Sequence, residues 1–371
     1  MIRFLYGWAA WDLTASAFWV GVVASLMLLP TFLLSPIFGI TADRINPRNG
    51  LISTIGLSGV MAAVGGAISA MDAFTLPALL VMAVVFGAIT SAHTPIRLAF
   101  VPQLVERAAL PSAIGYSAMI FNTSRIIGPA VGAWLLVVTS LSMAFGVAAV
   151  LCITSSLLLL RVKGTEAKAE RSDDSIVAQL LGGLEYLRSA SDIKTIFVLT
   201  LTSGFLGRTA IELLPAISGR VLQGDSATLA TLTAAAGAGS IVGGLVVSRQ
   251  AGHPAKLFRL VVAALVFVSG VLLTTALWDS LTVAVAAIVL ISLCTTMVGT
   301  GSQAITQLIL AEEFRGRVMS LWSVIAMGTP AVAAMVLGAL ADAKGFALAF
   351  AASALPALLV IAWAWRRRLE P

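Results

Sequence analysis

Long apolar runs alternate with short polar turns along almost the whole of this 371-residue chain. The runs fall near residues 17–41, 50–71, 74–95, 112–138, 140–160, 192–218, 227–248, 256–277, 281–310, 317–341 and 345–365. A helix rises ~1.5 Å per residue, so about 20 apolar residues match the ~30 Å hydrocarbon core of a bilayer. The runs are continuous and lack the apolar–polar alternation of barrel strands. Helices are the other structure that satisfies every backbone group in lipid. The pattern therefore predicts an all-α, polytopic membrane protein with eleven full spans. Residues 1–12 read as the tail of a further helix, running from Phe4 to Trp11 and ending at Asp12-Leu13-Thr14. That first span is expected to be cut short. Its order of residues is not that of a signal peptide, which needs a basic start, an apolar middle and a small-residue cleavage site.

Composition points the same way. Hydrophobic residues make up 59% of the chain and charged residues 11%, against about 25% charged in a soluble domain, which would otherwise expose large apolar patches. The partner of this surface is the lipid bilayer. The net charge of +6 is a matter of topology: if alternate loops are assigned to one side, starting with the turn at 42–49, that side holds 18 of the 23 basic residues. The opposite loops hold Arg220 and Lys344, and Arg3, Arg125 and Arg208 remain. Basic residues stay cytoplasmic in short loops, so that turn and the C-terminus are expected to face the cytoplasm. No interleaving of aromatic and basic residues suggests a nucleic-acid partner. Cys152 and Cys294 both lie inside apolar runs, which argues against a disulfide or a metal pair.

The chain divides at one long polar stretch, Arg161 to Asp174, followed by an amphipathic segment from Ile176 to Leu187. Mixed charge with few apolar residues suits a cytoplasmic linker. The expected organisation is an N-terminal helical half over 1–160, a linker over 161–191 and a C-terminal half over 192–371. The halves echo one another. Gly39 pairs with Gly244, Gln103-Leu104 with Gln307-Leu308, and Pro129-Ala130-Val131 with Pro330-Ala331-Val332, in order and at nearly one offset. Two parallel helical halves are one way in which secondary transporters are built.

Four stretches carry a more specific likeness. The turn Gly39-x-x-x-Asp43-Arg44-x-x-x-Arg48 resembles the loop between the second and third helices of the major facilitator superfamily. Arg125-Ile-Ile-Gly128-Pro129-Ala-Val-Gly132 resembles the fifth-helix Gly-Pro motif of that superfamily's antiporters. Phe100 to Val105 and Arg315 to Ser320 resemble its exporter branch that includes enterobactin exporters. The likeness runs over essentially the whole chain. It departs where most of helix one is absent, where Ser124 replaces a usual Gly, and where Pro47 interrupts the basic end of the first motif. The resemblance implies two six-helix pseudo-repeats working by alternating access, as a monomer. It implies export of a small amphipathic molecule of the drug or siderophore class, with no cofactor and with the proton gradient as energy source. A facilitator or importer of the same fold, or a membrane protein that transports nothing, is the alternative.

Several polar residues lie where lipid makes them costly. Asp43 and Arg44 form either a cytoplasmic gate, with Asp43 pairing to Arg97 or sitting over the N-terminus of a neighbouring helix, or a topology-setting turn whose Asp caps a helix. Arg125 lies mid-way along its run, where an unpaired cation costs roughly 2.5–3.5 kcal/mol on insertion scales. It either meets an anionic or oxygen-rich substrate with its planar fork or bonds carbonyls freed near Pro129. Arg208 and Glu212 are four apart, on one helix face. Glu212 is the most embedded carboxylate and the best proton carrier, its protonation toggling the pair; the alternative is a permanent ion pair at the membrane edge. Gly128, Pro129 and Gly132 read as a hinge or as small-residue packing. Tyr116, Asn122, Gln303, Gln307 and Trp322 are possible cavity-lining groups, and His93 reads as a helix-end residue at the interface. Asp342, with Asp12, Asp72, Asp225 and Asp279, sits by an outer loop and calls for nothing beyond a turn. No phosphate loop, nucleophile elbow, zinc spacing or catalytic carboxylate pair occurs, so the chain is not expected to be an enzyme.

Overall fold

In a computed structural model, residues 1–42, 46–105, 110–162, 190–250, 253–278, 280–310 and 315–367 are described. Among them the chain is helical and no strand occurs. The first half supplies α1 (Ile2–Thr14), α2 (Ala17–Ala42), α3 (Pro47–Ala70), α4 (Leu76–Phe100), α5 (Leu110–Val138) and α6 (Leu141–Leu159). The second supplies the bent α7 (Ser191–Glu212 continued by Leu214–Val221), α8 (Ser226–Ser248), α9 (Pro254–Leu273), α10 (Leu281–Ile309), α11 (Arg315–Lys344) and α12 (Phe346–Arg366). Eight of these described helices are long and apolar enough to cross a bilayer, and the bent α7 makes up to nine. Two shorter apolar segments, Ala17–Pro30 and Ile126–Val138, belong to α2 and α5.

The helices start where a small polar residue precedes an apolar run. Asn46 accepts the amide of Arg48, Thr75 that of Ala78, Ser140 that of Met143 and Ser280 that of Val283. Each satisfies one of the donors left over at a helix start. Asp225 does the same for α8, accepting the amides of Ala227 and Thr228 at 3.0 and 3.1 Å. These hydrogen bonds, that from Thr228 foremost, hold the Asp225 carboxyl below its ordinary range. At the other extreme, α11 and α12 are joined by Gly345 at φ 88°, ψ 158°, a region open in practice only to glycine. Within the spans, buried hydroxyls turn back on their own helix. Thr195, Thr200, Thr202, Thr233, Ser269 and Thr306 each donate to the carbonyl four residues earlier, which satisfies them without a partner helix.

Packing divides the chain into two units. One comprises Met1–Leu13 with Leu26–Ile176, the other Thr14–Ser25 with Val177–Pro371. The division cuts through α2, whose first residues pack with the second unit.

In the first unit α3 packs on α4 and α6. The α3–α6 seam is made by small residues: a side chain at Gly59 would come within 3.1 Å of Cys152 Cβ, and one at Gly66 within 3.1 Å of the Ser142 carbonyl. Ser142 and Ser156 close it by donating to the carbonyls of Gly66 and Ile52, both at 2.9 Å. Tyr6 of α1 is fully buried, its ring 5.6 Å from Phe86 and 5.5 Å from Phe145.

In the second unit α9 packs on α10 and α12, repeating the third-on-fourth-and-sixth arrangement of the first. The α8–α10 seam again rests on glycine. Gly243 faces the Leu293 carbonyl, and Ser292 donates to the Ala236 carbonyl at 2.6 Å. In membranes, close backbone approach at small residues is a main source of helix association, because lipid tails are as apolar as the side chains.

Candidate functional site

Along the loop signature, Gly39 lies near the end of α2, while Asp43 and Arg44 lie outside the described residues. Arg48 occupies the first turn of α3. Its Nε donates to the Leu159 carbonyl at 3.1 Å and a terminal nitrogen donates to that of Leu160. It thus closes the C-terminus of α6, where the helix dipole favours a cation. Arg97, on the last turn of α4, donates to the Ser117 hydroxyl of α5 at 2.5 Å. His93 is not at a helix end, because α4 continues to Phe100; its Nδ1 is 3.5 Å from the Thr54 hydroxyl of α3.

On α5, Tyr116, Asn122 and Arg125 occupy helical backbone, and their side chains lie outside the described residues. Gly128 and Gly132 are brought together on one face, against α1. A side chain at Gly132 would sit 3.0 Å from the Phe4 ring, and one at Gly128 would sit 2.8 Å from the Met1 nitrogen. Pro129 lies inside the helix between them, removing an N–H from the ladder.

Helix α7 departs most from the sequence reading, which has one unbroken apolar run over 192–218. It bends by 52° between Glu212 and Leu214. A π-type turn, Gly204–Arg208, precedes the short stretch Thr209–Glu212, and a second, Ile217–Val221, follows the bend. The hydroxyl of Thr209 reaches five residues back to the Gly204 carbonyl at 2.5 Å. Two glycines seat the distorted backbone. A side chain at Gly207 would fall 2.9 Å from Val268 and 3.0 Å from Ile291, and one at Gly204 would run into Thr329 and Pro330 of α11. Such π-turns are frequent at functional sites. Arg208 and Glu212 share a face here, Nε to Oε1 3.9 Å, with side chains 33% and 17% exposed.

On α10, Gln303 is half-buried and Gln307 exposed. The same helix carries two buried hydroxyls without a hydrogen-bond partner among the described residues, Thr295 and Ser302. The indole nitrogen of Trp322 on α11 is likewise unpartnered, its ring packed with Ile193, Phe197, Leu310 and Val318.

Asp342 needs more than a turn to account for it, contrary to the sequence reading. It stands near the end of α11 and accepts the Ser16 hydroxyl at 2.6 Å and the backbone amides of Ala17 and Phe18, both at 3.0 Å. It also pairs with Arg220 of α7. One signal was available in the sequence: the sparsely charged outer loops hold only Arg220 and Lys344 as cations, so an acid beside that side had few places to find one.

Transmembrane helices in two units with a repeated packing order, and embedded charges on a broken helix, define a multi-pass carrier of the major facilitator superfamily. The family model described as transmembrane secretion effector matches residues 3–371, and the chain belongs to that family. It is 24% identical over 307 residues to the staphyloferrin A transporter of Staphylococcus aureus, a match covering 82% of this chain and 77% of that one. It is also 24% identical over 266 residues to macrolide efflux protein A of Streptococcus pyogenes, covering 70% of this chain and 64%, less than two thirds, of the relative. Among solved structures it is similar to the nucleoside transporter NupG, with TM-score 0.71, 12% identity, and coverage of 100% of this chain and 98% of that one. It is similar, too, to a bacterial homologue of the human lysosomal transporter Spinster in an inward-facing, occupied conformation. There the TM-score is 0.70 at 13% identity, with 100% and 97% covered. At these identities the structural likenesses establish the fold. The protein is a membrane transporter and not an enzyme.

Proposed function

We propose that this carrier exports a small amphipathic compound of the drug or siderophore class, driven by proton entry through Glu212. The observation that carries the reading is the placement of Glu212: a carboxylate 17% exposed, beside Arg208, on the one described helix broken by π-turns and a 52° bend. A carboxylate within a span is costly when ionised, so its protonation state is coupled to the surroundings that neutralise it. Backbone already freed from regular helix can rearrange at that moment with fewer hydrogen bonds to break. The relatives named for macrolide efflux and for staphyloferrin A, a siderophore, support the substrate class. The halves 1–160 and 192–371 alternate in access around the site, joined by the linker at 161–191, with the C-terminus in the cytoplasm, as the excess of basic residues on that side supports. Gly39, Asp43, Arg44, Arg48 and Arg97 gate the cytoplasmic end. Tyr116, Asn122, Arg125, Gln303 and Gln307 line the cavity, and Gly128, Pro129 and Gly132 form the seal of α5 against α1.

The test uses inside-out vesicles with an acidified lumen, in which the pH gradient is followed as macrolides, siderophores and cationic drugs are added. Collapse of the gradient by one compound, lost in Glu212→Gln, is the expected result. A Glu212→Gln protein that still concentrates the compound would refute the coupling role.

A further inference from the structure

Four donors from two other helices converge on Asp342. The Ser16 hydroxyl and the Phe18 amide donate to Oδ2, and the Ala17 amide donates to Oδ1. The Arg220 guanidinium pairs with Oδ1, and its second terminal nitrogen donates to the Asp342 carbonyl at 3.2 Å. Ala17 and Phe18 open α2, so their amides have no carbonyl one turn back. The positive end of the helix dipole adds to the attraction for an anion there. Helices normally supply this cap from the adjoining residue. Here Ser16, in that place, accepts the Trp19 amide at 3.4 Å while donating its own hydrogen to a carboxylate 326 residues away.

The contact is built on bare backbone. A side chain at Gly338 would lie 2.7 Å from the Ala17 carbonyl carbon, and one at Gly21 would lie 2.5 Å from the Ala334 oxygen. Ser25, two turns from the start of α2, donates to the Ala331 carbonyl at 2.9 Å. The glycines allow this approach between α2 and α11, and Asp342 places a full charge at its end. Thr14–Ser25 consequently packs as part of the same unit as α7 and α11, while the rest of α2 does not.

We propose that Asp342 is the latch of the transport cycle at the end of the bundle remote from the 39–48 loop. It is a positioning residue that holds the first turn of α2 against α11 and α7. The inference rests on the reading of the protein as an alternating-access carrier. For that end to open, the start of α2 leaves α11, and every donor leaves the same carboxylate together. Several donors on one acceptor group make the contact two-state: with the carboxylate in place the turn is capped and paired, and once it withdraws, two helix amides, a serine hydroxyl and an arginine lose their acceptor at once.

Spin labels at Ala15→Cys and Lys344→Cys, in the full-length chain carrying Cys152→Ser and Cys294→Ser in nanodiscs, read this separation by double electron–electron resonance without any substrate. The parent is expected to show one dominant short distance. Asp342→Asn, which removes the charge and one acceptor, raises the long-distance population about tenfold, as loss of charge-assisted hydrogen bonds entails. Ser16→Ala and Arg220→Gln each give a smaller rise. Distance distributions that superimpose on the parent in Asp342→Asn and Ser16→Ala overturn the latch. Where Asp342→Asn does not fold, Ser16→Ala, which leaves the ion pair whole, decides alone. The readout needs neither proton nor cargo, so failure of proton-driven export leaves it standing, and its own failure leaves the vesicle assay standing.

Discussion

Arg208 Nε lies 3.9 Å from Glu212 Oε1, one turn apart on a helix distorted on both sides of the pair. That spacing distinguishes two roles by magnitude. An i, i+4 ion pair with this much exposure is worth about 0.5 kcal/mol. If stability were its purpose, little would be lost with it. Glu212→Gln is therefore expected to shift thermal stability in detergent by less than about 1 kcal/mol while abolishing gradient-driven transport. A variant with normal transport and a much lower melting temperature would identify the pair as structural.

Arg48 is expected to resist its usual conservative replacement. Its nitrogens reach the carbonyls of Leu159 and Leu160 together, and a lysine ammonium keeps the charge but not the fork. Arg48→Lys should cost about 1 kcal/mol, the net worth of one ordinary hydrogen bond at an exposed site, read as a lower melting temperature with the membrane orientation unchanged.

Tyr6 predicts the opposite sign. The ring is fully buried against Phe86 and Phe145, and its hydroxyl has no partner among the described residues. Removing an unsatisfied buried hydroxyl while keeping the ring relieves a desolvation cost of about 1–3 kcal/mol. Tyr6→Phe should melt at or above the parent temperature; a marked loss would mean that the hydroxyl is bonded in solution.

Gly345 and Ala15 both have positive φ, 88° and 47°, yet they should answer differently to exchange. Gly345→Ala forces a side chain into a region costing about 1–3 kcal/mol and should lower the melting temperature. Ala15→Gly removes left-handed strain of roughly 1 kcal/mol and restores unfolded-state entropy of about the same size, leaving stability nearly unchanged. A parallel thermal comparison checks both signs.

Asp225 should confer an acid-sensitive contribution to stability. Its carboxyl is held below the ordinary aspartate range in the folded protein, mainly by the Thr228 amide. A depressed folded value means the stabilisation is complete above the unfolded value and is lost as pH falls through the folded one. Plotted against pH, the melting-temperature difference between the parent and Asp225→Asn should be constant near neutrality and shrink only below about pH 4.

Helix positions were legible because about 20 apolar residues leave the chain few alternatives in lipid. Predicted runs such as 281–310 and 345–365 correspond to α10 and α12 within a residue. The break in α7 was not legible, because hydropathy is blind to it: Leu206 lies inside the π-turn, Leu213 and Leu214 lie at the bend, and all three are as apolar as any span. Gly204, Gly207 and Pro215 were the visible punctuation, common enough in membrane helices to pass for packing residues. The sequence places Arg48 in the loop signature, and its bond to the end of α6 depends on a partner 111 residues away. Asp342 was missed for the same reason, since the donors at Ser16 to Phe18 are adjacent only once α2 and α11 have packed.

The hydroxyls that fold back on their own helices also decide how little their helices need from one another. A serine or threonine has one hydrogen to give, and at Thr195, Thr200, Thr202, Thr233, Ser269 and Thr306 it is already engaged by a carbonyl one turn away. What each of these groups still offers is lone pairs. Chemically each behaves as an ether would: it has no hydrogen left to tie its helix to a neighbour, so the contact there is one of shape alone.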